Sequence, residues 1–406
     1  MMRGIRSVTG TIRDKRECVR IYHTLAGAEH LNEAVLLVGH ELKYSGASLL
    51  LIHIANELCR RNYKVILLIN AGSDMDPGAL SQLDKSVLLF QMHATKKSTD
   101  YLLALLRSRG CHQCIANTVV TGLFATVLEK NHFRPVWLIH EMECSCRILR
   151  AEALVSQIVK TAKTVVFPER TVQESFLSLG SADLQIPFHL ISQGIYKSLC
   201  PSVENREEAR ALLADTLGIP RNATLLVCAG AVNFGKGPDL LVAALTELTE
   251  RGKVSGTQYH VLWIGHVKED DPYAIWLNKQ IKDSGISGCW HWSGYVADET
   301  KYADLLIASD IFVLPSREDS YPSVVLEAQG MGKPVITFEG NGGAVSMVMQ
   351  QQGRIAKSGS VQDLCCKIEQ VASELPDLAP HLAQYAQQLQ KEKSFPEYVN
   401  SILSLL

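Results

Sequence analysis

The sequence lacks an excess of either charge, with 40 Lys and Arg against 42 Asp and Glu and a formal net charge of -2 over 406 residues. Without a basic surplus there is no electrostatic footprint for nucleic acid, and that partner class is set aside. Long apolar runs are missing too. Stretches such as Ala47–Leu51 and Val65–Ile69 fall short of the ~18 to 20 residues that cross a bilayer. No transmembrane helix is expected. Arg3, Arg6, Arg13, Lys15, Arg16 and Arg20 are followed by no apolar segment, so they do not read as a secretory leader, and the expected location is the cytoplasm. Residues 1–30 are expected to form a solvated, poorly ordered arm. Its six basic residues against Asp14 and Glu17 also give it a means of touching the inner face of an anionic membrane peripherally. The eleven cysteines are odd in number and scattered, which makes free thiols the default. Cys111 and Cys114 precede or open one predicted strand, while Cys144 and Cys146 follow another. That places the pairs near opposite edges of one sheet and argues against a shared zinc ion.

What is present is a hydrophobic content of 47% with 20% charged residues, the composition of a chain that buries a sizeable core. At ~100 to 200 residues per domain this length predicts two to four domains. Short β-branched or leucine-rich runs alternate with helical patterns. Strands are predicted near Val35–Val38, Val65–Ile69, Val87–Phe90, Cys114–Ala116, Val136–Ile139, Val165–Phe167 and His189–Ser192, with helices such as Ser48–Arg61, Thr99–Arg109, Gly122–Lys130 and Val172–Leu179 between them. A polar stretch from Gln193 to Glu204 reads as a link. The theme then repeats through strands at Leu225–Ala229, Tyr259–Gly265, Trp290–Trp292, Ile311–Pro315 and Val335–Phe338. Such βαβ repetition implies parallel sheets with helices on both faces. The expected fold class is α/β, with two Rossmann-like doubly wound domains facing across a cleft, at 31–195 and 196–385, and a last segment, 386–406, returning to the first domain. Ligands of such sheets bind beyond the carboxyl ends of the strands.

Chemistry-bearing residues collect at those ends. Pro315-Ser316-Arg317-Glu318-Asp319-Ser320-Tyr321-Pro322-Ser323 is a polar turn between a strand and a helix, and Glu327 falls on the apolar stripe of that helix with Val324, Ala328 and Met331. A carboxylate there needs a partner. The amides of another helix start and a ligand hydroxyl both fit, and both remain open. Gly230 to Pro238 is a second strand, glycine loop and helix start. Lys236 and the backbone amides there suit a phosphate or diphosphate, although a solvated lysine in a glycine turn fits the same residues. The Gly46-Ala47 turn after the first strand has no G-x-G-x-x-G spacing, and no acidic residue follows the second strand, which disfavours a nicotinamide dehydrogenase. Val136–Ile139 ends in His140-Glu141, delivering an imidazole and a carboxylate to the same sheet edge.

These segments, together with Trp137 to Glu141 and Gly332-Lys333-Pro334-Val335-Ile336, resemble glycosyltransferase family 4, retaining transferases of the GT-B fold, over roughly residues 33 to 406. The most specific element of the resemblance is a carboxylate pair with seven residues between, here Asp319 and Glu327. The family usually has Glu at the first position, so Asp319, with Glu318 beside it, is a departure, as is Ala231 where many members have Arg. The resemblance implies that Glu327 binds ribose hydroxyls, Asp319 faces the transferred sugar, Lys236 neutralises the diphosphate and His140 lies near the donor sugar, giving His140, Asp319 and Lys236 as catalytic candidates. The implied donor-binding set is Gly46, Ala47, Gly230, Lys236, Glu318, Asp319, Ser320, Tyr321, Pro322, Ser323 and Glu327. The implied reaction is glycosyl transfer, with retention, from a UDP-, GDP- or ADP-sugar to the hydroxyl of a saccharide, lipid-linked or other acceptor. No metal site and no cofactor are expected, because Asp74-Met75-Asp76 and Asp270-Asp271 read as loop residues. The alternatives are a catalytically silent sugar-nucleotide-binding protein and a GT-B-like epimerase.

Overall fold

Strands buried on both faces set the architecture, since a parallel sheet covered by helices requires near-continuous apolar runs. The first strand, β1 (Ala34–Gly39), has all six residues buried. A computed structural model describes residues 14–26, 30–73, 75–180, 186–203, 205–351 and 353–406. The chain divides into two compact units, one of residues 1–192 with 396–406 and one of 193–395.

In the first unit β1 is joined by β2 (Lys64–Asn70), β3 (Leu88–Met92), β4 (Gln113–Asn117), β5 (Val136–Leu138), β6 (Thr164–Phe167) and β7 (Phe188–Leu190). The spatial order is β3-β2-β1-β4-β5-β6-β7, with every neighbour parallel. In the second unit β8 (Thr224–Ala229), β9 (Tyr259–Ile264), β10 (Trp290–Gly294), β11 (Ile311–Leu314), β12 (Val335–Phe338) and β13 (Arg354–Ala356) run β10-β9-β8-β11-β12-β13. These strands too are all parallel. Both orders reverse once, between β1 and β4 and between β8 and β11. The doubly wound pattern places its ligand crevice at that reversal.

Two expectations change. Residues 14–24 form a helix instead of a loose arm, and Ile21 and Leu25, spaced one helical turn apart, are 3% and 0% exposed within the first core. Ser98 Oγ donates to Glu17 Oε2 at 2.7 Å, and the Arg109 guanidinium lies over the Tyr22 ring at 5.8 Å. Lys15, Arg16 and Arg20 remain exposed, while Arg3, Arg6 and Arg13 lie outside the described residues, as does Asp74. The second change is at the other end. A helix from Val361 to Glu392 continues through Pro376 and Pro380 and buries Leu382, Ala386 and Leu389, so the second unit extends to 395 and not to 385. The final helix, Phe395–Leu403, buries Tyr398, Val399 and Ile402. Within the first unit, Arg61 donates to the Pro396 carbonyl at 2.7 Å and bonds the Asn400 amide.

The thiols of Cys111, Cys114 and Cys146 are buried, and loss of hydration pushes Cys111 up to about 12. Asp76 and Asp271 each cap a helix, accepting from Gly78 N and Tyr273 N, both at 2.8 Å. Among the described residues, no three His, Cys, Asp or Glu side chains gather as a metal site, and no helix is long and apolar enough to cross a membrane.

Candidate active site

In the second unit the site is built on the two loops that leave β8 and β11. After β8, the Asn233 side chain accepts from Lys236 N at 3.0 Å and closes a single tight turn over Phe234–Lys236. Gly237 follows at φ 65°, and Pro238 opens the next helix. Only glycine fits at 237, because a Cβ there would meet the Pro315 carbonyl at 2.1 Å. That close approach lays the loop against the segment after β11. Lys236 Nζ thereby reaches Asp319 Oδ2 as an ion pair, and Ser316 Oγ bonds the same oxygen at 3.3 Å. Arg317 fixes the loop from the other side. Its amide donates to Gly235 O at 2.8 Å, its guanidinium takes both oxygens of Asp239 at 2.9 and 2.7 Å, and it lies 3.8 Å over the Phe234 ring. Burial pushes the Asp239 carboxyl up, but its bonds to Arg317 and Tyr273 outweigh that and leave it below the usual range.

Glu327 lies one turn into the helix Ser323–Gly330 and is 1% exposed. It caps no helix. Its Oε2 accepts from Tyr302 OH at 2.6 Å and from Lys197 Nζ at 3.0 Å, while its buried Oε1 has no hydrogen-bond partner among the described residues. Beside it, Tyr196 OH and Ser323 Oγ are 2.9 Å apart, and burial followed by the Glu327 charge pushes the Tyr196 phenol up to about 12. Tyr321 and Pro322 are buried, whereas Glu318 and Ser320 are partly exposed, and Ser320 O accepts from Gly343 N at 2.9 Å. Gly230, directly after β8, sits at φ 145°.

In the first unit β1, β4 and β5 deliver a second cluster. Asn117 ends β4 and bridges two candidates, its amide nitrogen donating to Ala47 O at 2.8 Å and its Oδ1 accepting from His140 Nε2 at 2.9 Å. Loss of hydration lowers the His140 pKa to about 4, so the ring is neutral at pH 7 and this bond defines its Nε2–H tautomer. Glu141 Oε2 accepts from His140 N at 3.2 Å and Val119 N at 3.0 Å, and burial raises its pKa. His40, after β1, bonds Thr118 Oγ1 at 3.0 Å and approaches Glu41 Oε1 at 3.4 Å. The His40 hydrogen bond is the main cause that brings Glu41 down to about 2, with Lys43 at 3.2 Å adding to it. Gly46 is the first residue of the helix Gly46–Arg60, whose cap is Ser45, and a Cβ at 46 would meet nothing within 4 Å. That glycine is therefore not demanded by internal packing.

The structure thus gathers Gly230, Lys236, Asp319, Ser320, Tyr321, Ser323 and Glu327 in the second unit and Gly46, Ala47 and His140 in the first. Sequence reasoning missed Lys197, Tyr302, Asn117 and His40. Lys197 lay in the segment read as a link and Tyr302 in a helix with no motif, so only the fold reveals them. His40 and Asn117 carried a usable signal, since each closes a predicted strand at its carboxyl end.

Two parallel-sheet α/β units, each with one reversal of strand order, give the chain the GT-B fold. Residues 210–389, within the second unit, match the family described as Glycosyl transferases group 1. The chain is similar to D-inositol 3-phosphate glycosyltransferases, at 28% identity over 181 residues with the protein of Xylanimonas cellulosilytica and 26% over 251 residues with that of Gordonia bronchialis. These alignments cover 44% and 61% of the chain and 41% and 53% of the relatives, so the chain spans about half the length of the curated relatives it matches. Its fold is also that of Anabaena HepE in complex with UDP-glucose, with a TM-score of 0.74 at 19% identity, covering 91% of this chain and 98% of that one.

Proposed function

We propose that this protein is a retaining glycosyltransferase that moves a sugar, a hexose in the simplest case, from a nucleoside diphosphate sugar to an acceptor hydroxyl in glycan, polysaccharide or glycolipid synthesis. The observation that carries the reading is the Lys236–Asp319 pair and, on the helix that follows the β11 loop, a buried Glu327 whose Oε1 has no partner among the described residues, in the domain that matches the family. The names of the relatives and the UDP-glucose held by a protein of the same fold support the donor class.

In this reading Lys236 and the amides at the start of the helix Pro238–Ser255 take the diphosphate, and no divalent ion is needed. Glu327 Oε1 accepts from the ribose. Asp319 contacts the transferred sugar; in the first unit the candidate is His140, with Gly46 and Ala47 leaving the backbone open to close approach. The bond from the anomeric carbon to the phosphate oxygen breaks and one to the acceptor oxygen forms on the same face, with the acceptor proton passing to the departing phosphate. We place the reaction in the cytoplasm, with the exposed Lys15, Arg16 and Arg20 as a peripheral contact for an anionic membrane surface. A panel of UDP-, GDP- and ADP-sugars tests this. Release of free nucleoside diphosphate from one donor, with the anomeric configuration of the released or transferred sugar read by NMR, supports it. Thermal stabilisation by a donor without any release makes the protein a silent binder, and inversion removes the retaining mechanism.

A further inference from the structure

We infer that Lys197 is a positioning residue that fixes the Glu327 carboxylate by one oxygen so that the other selects the ribose of the donor nucleotide, a step that rests on the donor reading above. Lys197 Nζ and Tyr302 OH both donate to Oε2, at 3.0 and 2.6 Å. The same ammonium lies 4.1 Å from the centroid of the Tyr302 ring, so three contacts hold one end of the pair. Oε1 is buried and has no hydrogen-bond partner among the described residues. An ionised carboxylate has about four lone-pair sites, and leaving a buried charged acceptor unpaired costs free energy that a ligand hydroxyl recovers. Lys197 stays protonated at neutral pH. Its burial disfavours the charge, but the Glu327 carboxylate, with Tyr196 and Glu299 adding to it, outweighs burial and leaves the pKa above that of an ordinary lysine.

The consequence is directional. A carboxylate that turns freely offers either oxygen, or both, to the two vicinal hydroxyls of a ribose. One held by Oε2 presents Oε1 alone and from a fixed direction, which favours the hydroxyl lying along that direction over its neighbour. Lys197 then sets which sugar the nucleotide carries. A purely structural role is the competing account, in which the pair ties the segment after Gln193 to the helix Ser323–Gly330 and affects stability alone.

The full-length protein is titrated by calorimetry with UDP, GDP and ADP, and then with the 2′-deoxy and 3′-deoxy forms of the diphosphate it binds best. The wild type should lose about tenfold in affinity for one deoxy form and less than about threefold for the other. Lys197→Met should bring both losses below about threefold, and Lys197→Arg should restore the difference. Equal losses for both deoxy forms in the wild type, or an unchanged preference in Lys197→Met, overturn the inference. Should Lys197→Met fail to fold, Tyr302→Phe keeps the charge pair while removing one clamp, and it must narrow the preference; an unchanged preference overturns the inference as well. If the wild type binds none of the three diphosphates, the donor reading itself fails and this inference falls with it, an outcome distinct from binding without ribose preference.

Discussion

Lys236 and Asp319 stand 83 residues apart in the chain and form one ion pair, with their side chains 29% and 10% exposed. The pair joins the loop after β8 to the loop after β11, so the cation proposed for the diphosphate is already occupied by the carboxylate proposed for the sugar. Lys236→Ala should weaken nucleoside diphosphate binding by ~1.5 to 3 kcal/mol, the range for a hydrogen bond to a charged group. Asp319→Asn separates the two roles. It frees the ammonium, so the diphosphate alone should bind as well as or better than in the wild type while sugar transfer falls. Equal loss of diphosphate affinity in both variants would show that Asp319 holds Lys236 in place instead of competing for it.

Catalysis should not depend on an added divalent ion, since Lys236 and the helix start serve the diphosphate and Asp76 and Asp271 are committed to helix caps. Turnover measured in EDTA should stay within about twofold of the untreated rate, a difference of less than ~0.5 kcal/mol in the barrier. Loss of turnover that Mg²⁺ or Mn²⁺ restores would overturn the assignment.

His140→Ala should lower kcat by about tenfold, some 1.4 kcal/mol of barrier, with little change in nucleotide affinity. The ring also makes a pH prediction. Its folded pKa of about 4 lies below the ordinary histidine value, and that of His260 in the second unit, lowered by burial and then by His291, is likewise about 4. Between about pH 4 and 6.5 the unfolded chain therefore binds more protons than the folded one, and stability rises with pH across that window. Melting temperatures taken from pH 4 to 7 should climb accordingly. The slope should be shallower in His140→Ala and in His260→Gln, and an unchanged slope in both removes these histidines as its cause.

The first helix offers a test of stability. Leu25 is fully buried in the first core, so Leu25→Ala should destabilise that unit by ~2 to 5 kcal/mol. Circular dichroism melts check this directly. A change within ~0.5 kcal/mol would mean that Leu25, at the end of this helix, does not belong to the core.

Strands were legible because both sheets are covered on both faces, which forces apolar runs such as Ala34–Gly39 and Ile311–Leu314 into the sequence. The short edge strand Arg354–Ala356 has no such run, and the helix Val361–Glu392 was obscured by Pro376 and Pro380, which ordinarily end a helix. The amino-terminal helix was hidden by its many exposed charges, with only Ile21 and Leu25 marking a buried side. At the site, residues adjacent in sequence declared themselves, as the run from Pro315 to Glu327 does. Lys197 did not, because its function is set by a carboxylate 130 residues away. Nothing local to Lys197 encodes that distance.

Glu327→Gln is the variant in which the ribose role and the clamp meet. The glutamine keeps the shape, turns one acceptor into a donor and removes the charge opposite Lys197, whose side chain is only 19% exposed. Nucleotide affinity should fall by ~1 to 3 kcal/mol as Oε1 loses its acceptor strength or becomes a donor. Stability without nucleotide should fall as well, by ~1 to 3 kcal/mol, because a largely buried ammonium is left without its counter-charge. Adding Lys197→Met to Glu327→Gln should recover most of that stability but none of the affinity, since the mismatched cation is gone while the ribose acceptor is still missing. Paired melting and calorimetric measurements on the two single variants and the double variant decide between these terms. A double variant that regains wild-type affinity would place ribose recognition elsewhere and leave Glu327 a structural partner of Lys197.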